Sequence, residues 1–155
     1  MEKLRDLLKN IYLFQGFSDE DLALIARIAR RHDFSAGQRV FYEGDEASSF
    51  FVVELGTIQM TKKNEEGDHE EIVVIGNGAH FGELPFLDEA RRDLTAVARE
   101  RCDLYEISYT ELREVLHNNK SLAASFYESI SHFLAARLRK VTASLISLKT
   151  IRHHL

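Results

Sequence analysis

The stretch Phe81-Gly82-Glu83-Leu84-Pro85-Phe86-Leu87 is followed, after a short gap, by Arg92-Asp93-Leu94-Thr95-Ala96-Val97-Ala98. Gly82 lets the backbone pass close to another group, and Glu83 follows it directly. Leu84 to Leu87 can open a short helix with Pro85 in its first turn, where a missing N–H costs little. A helix start preceded by glycine receives anions, because unpaired N–H groups and the helix dipole point outward. Nine residues after Glu83 stands Arg92, whose planar fork suits phosphate oxygens. A carboxylate that accepts hydroxyl protons, beside an arginine that grips phosphate, describes a sugar-phosphate site.

These residues need a frame, and the pattern around them changes twice. Residues 1–32 read as N-terminal helices. Leu4, Leu7, Leu8 and Ile11 share a face, and Ser18 with Asp19-Glu20-Asp21 reads as a capped helix start ahead of Leu22, Ile25 and Ile28. The cluster Arg27, Arg30, Arg31 and His32 is expected at that helix's C-terminal end, where its charge suits the dipole. Over 33–107, short β-branched and aromatic runs alternate with turns at Gly37, Gly44, Gly56, Gly67, Gly76/Gly78 and Gly82, the pattern of an antiparallel sandwich or barrel. Asn64 to Asp68 reads as a hairpin tip. Over 108–155 the period is helical again, with a Ser108-x-x-Glu111 capping signature. Nothing breaks a helix from about Ser121 onward. Leu134, Leu138, Val141, Leu145 and Leu148 step by four and three, a seam suited to pairing with a second copy of the chain.

With that frame, the chain resembles the cyclic nucleotide-binding domain family, which includes catabolite activator-type regulators and the regulatory subunits of cAMP-dependent protein kinase. The family's phosphate-binding cassette, Phe-Gly-Glu-x-Ala-Leu-Leu and then Arg-x-Ala-Thr/Ser-Val, resembles Phe81 to Leu87 and Arg92 to Ala96. Leu13-Phe14-x-x-Phe17-Ser18, Ala36-Gly37, Glu43-Gly44-Asp45 and Leu55-Gly56 are similar to further family positions. The resemblance implies an α+β fold, a single domain over 1–155: an antiparallel β-roll of jelly-roll type flanked by N-terminal helices and a long C-terminal helix. It implies that Glu83 accepts the ribose 2′-hydroxyl and Arg92 pairs with the cyclic phosphate. Backbone N–H groups around Gly82, Leu84 and Asp93 would complete the cradle. Phe81, Pro85 and Thr95 belong to the same cassette, and Thr142 on the last helix would contact the base. Pro85, Asp93 and Leu94 depart from the family pattern: a lost N–H donor, a carboxylate beside the phosphate, and a larger side chain on the strand.

Composition narrows the classes. The chain has 155 residues, is 45% hydrophobic and carries a net charge of −5. All its acids precede residue 129, whereas the tail holds Arg137, Arg139, Lys140, Lys149 and Arg152. The apolar runs are far shorter than the roughly 20 residues of a membrane helix, and the N-terminus lacks a secretory signal, so a cytoplasmic protein with no membrane partner is expected. The lone Cys102 excludes an internal disulfide and reads as a buried strand residue. The histidines form no metal-binding pattern, with His69–Glu70 and His80–Glu83 the nearest approach; no metal, no cofactor and no enzyme activity are expected. The basic tail reads as a solvated face or a docking face for an acidic partner. With no stretch left for a helix-turn-helix, nucleic acid is not expected. The expected function is a regulatory sensor that binds a 3′,5′-cyclic nucleotide, cAMP or cGMP with cAMP weakly favoured, pairs as a homodimer through its last helix and signals to an unidentified protein. The alternatives are a dimerising interaction module of this fold that binds no nucleotide, and a sensor for another effector.

Overall fold

The structure, a computed structural model, describes residues 2–153. Helix α1 (Glu2–Lys9) and a single 3₁₀ turn at Tyr12–Phe14 lead to α2 (Asp19–Ile28). Ser18 caps α2 reciprocally, its hydroxyl accepting from the Asp21 N–H and the Asp21 carboxylate accepting from the Ser18 N–H. Eight strands follow: β1 (Ala29–Phe34), β2 (Arg39–Phe41), β3 (Ser49–Leu55), β4 (Ile58–Lys63), β5 (His69–Ile75), β6 (His80–Phe81), β7 (Thr95–Ala98) and β8 (Cys102–Ser108). Between β6 and β7 lies α3 (Leu84–Asp88). The chain closes with α4 (Tyr109–Asn118) and α5 (Lys120–His153), the latter about 50 Å long at 1.5 Å per residue.

Two antiparallel four-stranded sheets, ordered β1-β8-β3-β6 and β2-β7-β4-β5, face one another in a roll. Strand β3 shows why. Its Phe51 and Val53 point into the core between the sheets with Phe41, Ile58, Phe81 and Leu104, whereas Phe50 and Val52 point outward under the helices. Period-two alternation therefore buries both faces, which is why its apolar run is unbroken. The helices cover that outer face with Leu8, Ile25, Leu112, Leu116, Leu122 and Phe126.

One expected boundary moves. Residues 29–32 belong to a strand and not to the first helical segment. Ala29 to Phe34 pair in register with Ile107 to Cys102 of β8, and the charges read as a helix end form cross-strand pairs, Arg31 with Asp103 and His32 with Glu106. A full edge ladder with opposite charges across it outweighs one more helical turn. The hairpin tip stands where expected, with the Asn64 side-chain oxygen accepting from the N–H groups of Glu66 and Asp68. Cys102 is buried, and burial pushes its thiol's pKa up.

Gly56, at the β3–β4 turn, has φ +106, and a Cβ there would lie 2.6 Å from both the Arg101 carbonyl oxygen and Cys102 Sγ. Gly56→Ala therefore meets both backbone strain and overpacking. It is expected to lower stability by about 3 kcal/mol, read as a fall in the urea midpoint; an unchanged midpoint would contradict this packing.

Candidate functional site

The chain leaves β6 through Gly82, whose φ is +85. A Cβ at this position would sit 2.8 Å from an Arg92 Nη and 3.4 Å from the Phe41 ring, so only glycine fits. Glu83 then starts α3, with Pro85 in the first turn as expected. Glu89, in the left-handed region at φ 59, ends the helix by donating its N–H to the Pro85 carbonyl. Phe86 fastens α3 to the body, packing on Tyr109 and Phe126. The return loop is clamped through its backbone: the Arg92 N–H donates to the Asp45 carbonyl, and the Gly44 N–H donates to the Arg92 carbonyl.

This clamping drives the Arg92 side chain inward, where only 7% of the residue is exposed. Its Nη2 donates to the Ser49 carbonyl at 2.6 Å and its Nη1 to the Gly82 carbonyl at 2.9 Å. The guanidinium lies 3.9 Å above the centre of the Phe41 ring. Tyr109 donates its hydroxyl to the same Gly82 carbonyl. Burial pushes the Tyr109 pKa up to about 12 against the opposing pull of Arg92, so the phenol keeps its proton at physiological pH. No carboxylate among the described residues forms an ion pair with Arg92, and its buried Nε has no hydrogen-bond partner. Burial accordingly lowers the Arg92 pKa. Arg92 Nη1 also donates to the Tyr109 hydroxyl at 3.4 Å. A desolvated cation held by carbonyls, a neutral hydroxyl and a ring is an unbalanced charge, a cost that an incoming anion would relieve.

Glu83 is 2% exposed and lines the same cleft. Its Oε1 lies 2.8 Å from Nδ1 of the buried His80, off hydrogen-bond alignment, and neither of these two atoms has another partner among the described residues. The cleft is narrow and half open to solvent, with a cavity volume of about 60 Å³. Phe41, Met60, Ile75 and Leu94 give it apolar walls, and Arg137 reaches it from α5. One site thus combines a buried cation, a buried carboxylate and apolar walls.

Of the residues expected from sequence, Phe81, Gly82, Glu83, Leu84, Pro85, Arg92 and Asp93 all line this cleft. Asp93 is exposed and forms no ion pair with Arg91 or Arg92; Arg91 pairs with Glu46, and Lys62 Nζ donates to the Asp93 carbonyl. Thr95 lies outside the lining, where its hydroxyl accepts from the Glu43 N–H and steadies the loop after β2. Thr142 also lies outside, exposed on α5 about 7.5 Å of helical rise beyond Arg137. Sequence reasoning did not single out Phe41, Tyr109 or Arg137 as site residues, and it considered His80 only as a metal ligand. Among the described residues, no group of three or more His, Cys, Asp or Glu side chains could hold a metal ion, and no helix is long and apolar enough to cross a membrane.

A family model of the cyclic nucleotide-binding domain matches residues 31–119, more than half of the chain. The chain belongs to the cyclic nucleotide-binding domain family. It is 28% identical to a cyclic AMP receptor protein of Thermus thermophilus, over 95% of this chain and 77% of that one. It is 26% identical to a cAMP-dependent protein kinase regulatory subunit of Yarrowia lipolytica, over 83% of this chain but 35% of the relative. Among solved structures, the regulatory domain of Toxoplasma gondii PKA with cAMP superimposes with a TM-score of 0.70 at 26% identity, covering 74% of this chain and 43% of that one. The chain therefore spans about three quarters of the bacterial receptor and less than half of the two kinase-associated chains. The cleft between α3, the 92–94 segment and β4 is lined by Phe81 to Pro85, Arg92 and Asp93 of the family-like stretch, and not by Thr95.

Proposed function

We propose that the cleft binds a 3′,5′-cyclic nucleotide, cAMP in preference to cGMP, and that occupancy is signalled through α5. The carrying observation is the buried Arg92, with no carboxylate partner among the described residues, in one cleft with the buried Glu83. Arg92 would meet the cyclic phosphate and Glu83 the ribose 2′-hydroxyl, with the base against apolar walls and Arg137 of α5 alongside. Similarity to a cyclic AMP receptor protein and a cAMP-dependent regulatory subunit supports adenine, while a cGMP-dependent protein kinase of Caenorhabditis elegans is also similar, at 26% identity over 63% of this chain. The reading is a receptor and not an enzyme, since the cleft offers positioning groups for an anion and a sugar. Arg137 joins cleft to helix, so a ligand that favours one placement of α5 shifts its population. The exposed half of α5 is the surface for a second copy of the chain, and a further protein partner would read the resulting change.

Calorimetric titration of the purified, folded protein tests this reading. Saturable one-to-one heat with cAMP, and weaker binding of cGMP, are expected. No heat with either nucleotide at millimolar concentration overturns it and leaves the fold as a dimerising interaction module.

A further inference from the structure

His80 is a buried, titratable side chain with no role in the cassette described so far. Its strand register explains where it points. In β6, His80 stands opposite Val52 and Phe81 opposite Phe51. Phe51 and Phe81 face the core between the sheets, whereas Val52 faces the helices, so His80 emerges on the helix side. There its ring centre lies 4.6 Å from that of Phe133 on α5, which braces the imidazole from above. Three residues later the chain has turned through Gly82, and Glu83 comes back against the same imidazole with Nδ1 and Oε1 2.8 Å apart. The His80 and Glu83 side chains are each only 3% exposed. A buried carboxylate needs a donor or it drifts toward any alternative, and His80 Nδ1 is the one side-chain nitrogen at hydrogen-bond distance among the described residues. The pair would become a hydrogen bond if the carboxylate turned toward the ring N–H, and its Oε2 would then be left for the cleft.

We infer that His80 is the positioning residue of Glu83: its Nδ1–H holds one carboxylate oxygen so that the other meets the ribose 2′-hydroxyl, while Phe133 holds the imidazole in place. The inference rests on the nucleotide reading of the cleft and adds to it a determinant of ribose recognition. A carboxylate free to turn away would still leave the phosphate gripped by Arg92, so loss of His80 should act on the sugar hydroxyl and not on the phosphate.

The test compares cAMP with 2′-deoxy-cAMP by calorimetry on the full chain. The wild type is expected to prefer cAMP roughly tenfold or more, the scale of a hydrogen bond to a charged group. Glu83→Gln should remove most of this preference. His80→Phe, which keeps the contact with Phe133 but no nitrogen, should bring the ratio toward one by weakening cAMP alone; His80→Met serves if that variant does not fold. His80→Asn, which keeps a donor near the Nδ1 position, should restore much of the ratio. A merely structural role would weaken both nucleotides alike, and that result overturns the inference. So does full preference in His80→Phe alongside its loss in Glu83→Gln, in which case the nucleotide reading stands. Absence of preference in the wild type itself removes the ribose assignment of Glu83, while binding of both nucleotides would leave the phosphate assignment of Arg92 intact.

Discussion

Arg92→Ala is expected to weaken cAMP binding by roughly 10- to 150-fold, the equivalent of about 1.5–3 kcal/mol for a hydrogen bond to a charged group. The direction follows from the balance of charge in the cleft. Arg92 is buried without a carboxylate partner among the described residues, so the protein already bears the cost of desolvating the guanidinium, and a bound phosphate recovers it. Alanine removes that recovery and leaves the anion against Phe41 and Met60. It also strips a donor from the Ser49 carbonyl, whereas the Gly82 carbonyl keeps the Tyr109 hydroxyl. Thermal unfolding recorded beside the titration separates this structural loss from lost binding. Arg92→Lys sharpens the test, because an ammonium keeps the charge but cannot donate as a fork to two carbonyls and a phosphate together. It should recover only part of the affinity. Unchanged affinity in the alanine variant would place the phosphate elsewhere.

How much of this was readable in the chain depends on whether residue type or spatial approach carries the information. Gly82, Glu83 and Arg92 were readable because each is there for its side chain, or for the lack of one, at fixed local spacing. Ser49 was not, since it contributes a backbone carbonyl that any residue would supply, 43 positions from Arg92. Phe41 and Tyr109 look like ordinary core aromatics until the fold brings them over and beside the guanidinium. The two-residue β6 is too short to show a period, so the helix-facing direction of His80 emerges only from its pairing with Val52. Strand β1 reads as a helix end because its exposed edge carries charges in place of an alternating apolar face. On α5, the register against the body is set by Leu122, Phe126 and Ile130 under the N-terminal helices, and this brings Arg137 to the cleft where Thr142 was expected.

The same register governs the second large effect. Up to Leu134, α5 packs on its own body; beyond it, Leu138, Val141, Leu145 and Leu148 are all more than half exposed. Exposed leucines and valines at steps of three and four on one helix are uncovered apolar surface of the kind a paired helix buries, each side chain contributing roughly 1.5–3 kcal/mol when fully covered. We propose that a second copy covers them, because the seam from Leu138 to Leu148 is self-complementary by symmetry. Leu138→Glu with Leu145→Glu places two carboxylates per chain in that seam, facing their like charges across it. The double variant is expected to sediment as a monomer at concentrations where the wild type is a dimer, with an unaltered circular dichroism spectrum for the β-roll. Dimers that survive both substitutions would move the interface off α5. Because Arg137 precedes Leu138 directly, pairing of the seam and occupation of the cleft draw on one stretch of helix. cAMP should therefore tighten the wild-type dimer, and by linkage dimerisation should tighten cAMP by the same factor. A monomeric double variant that binds cAMP as tightly as the dimer would show that the seam and the cleft are energetically independent.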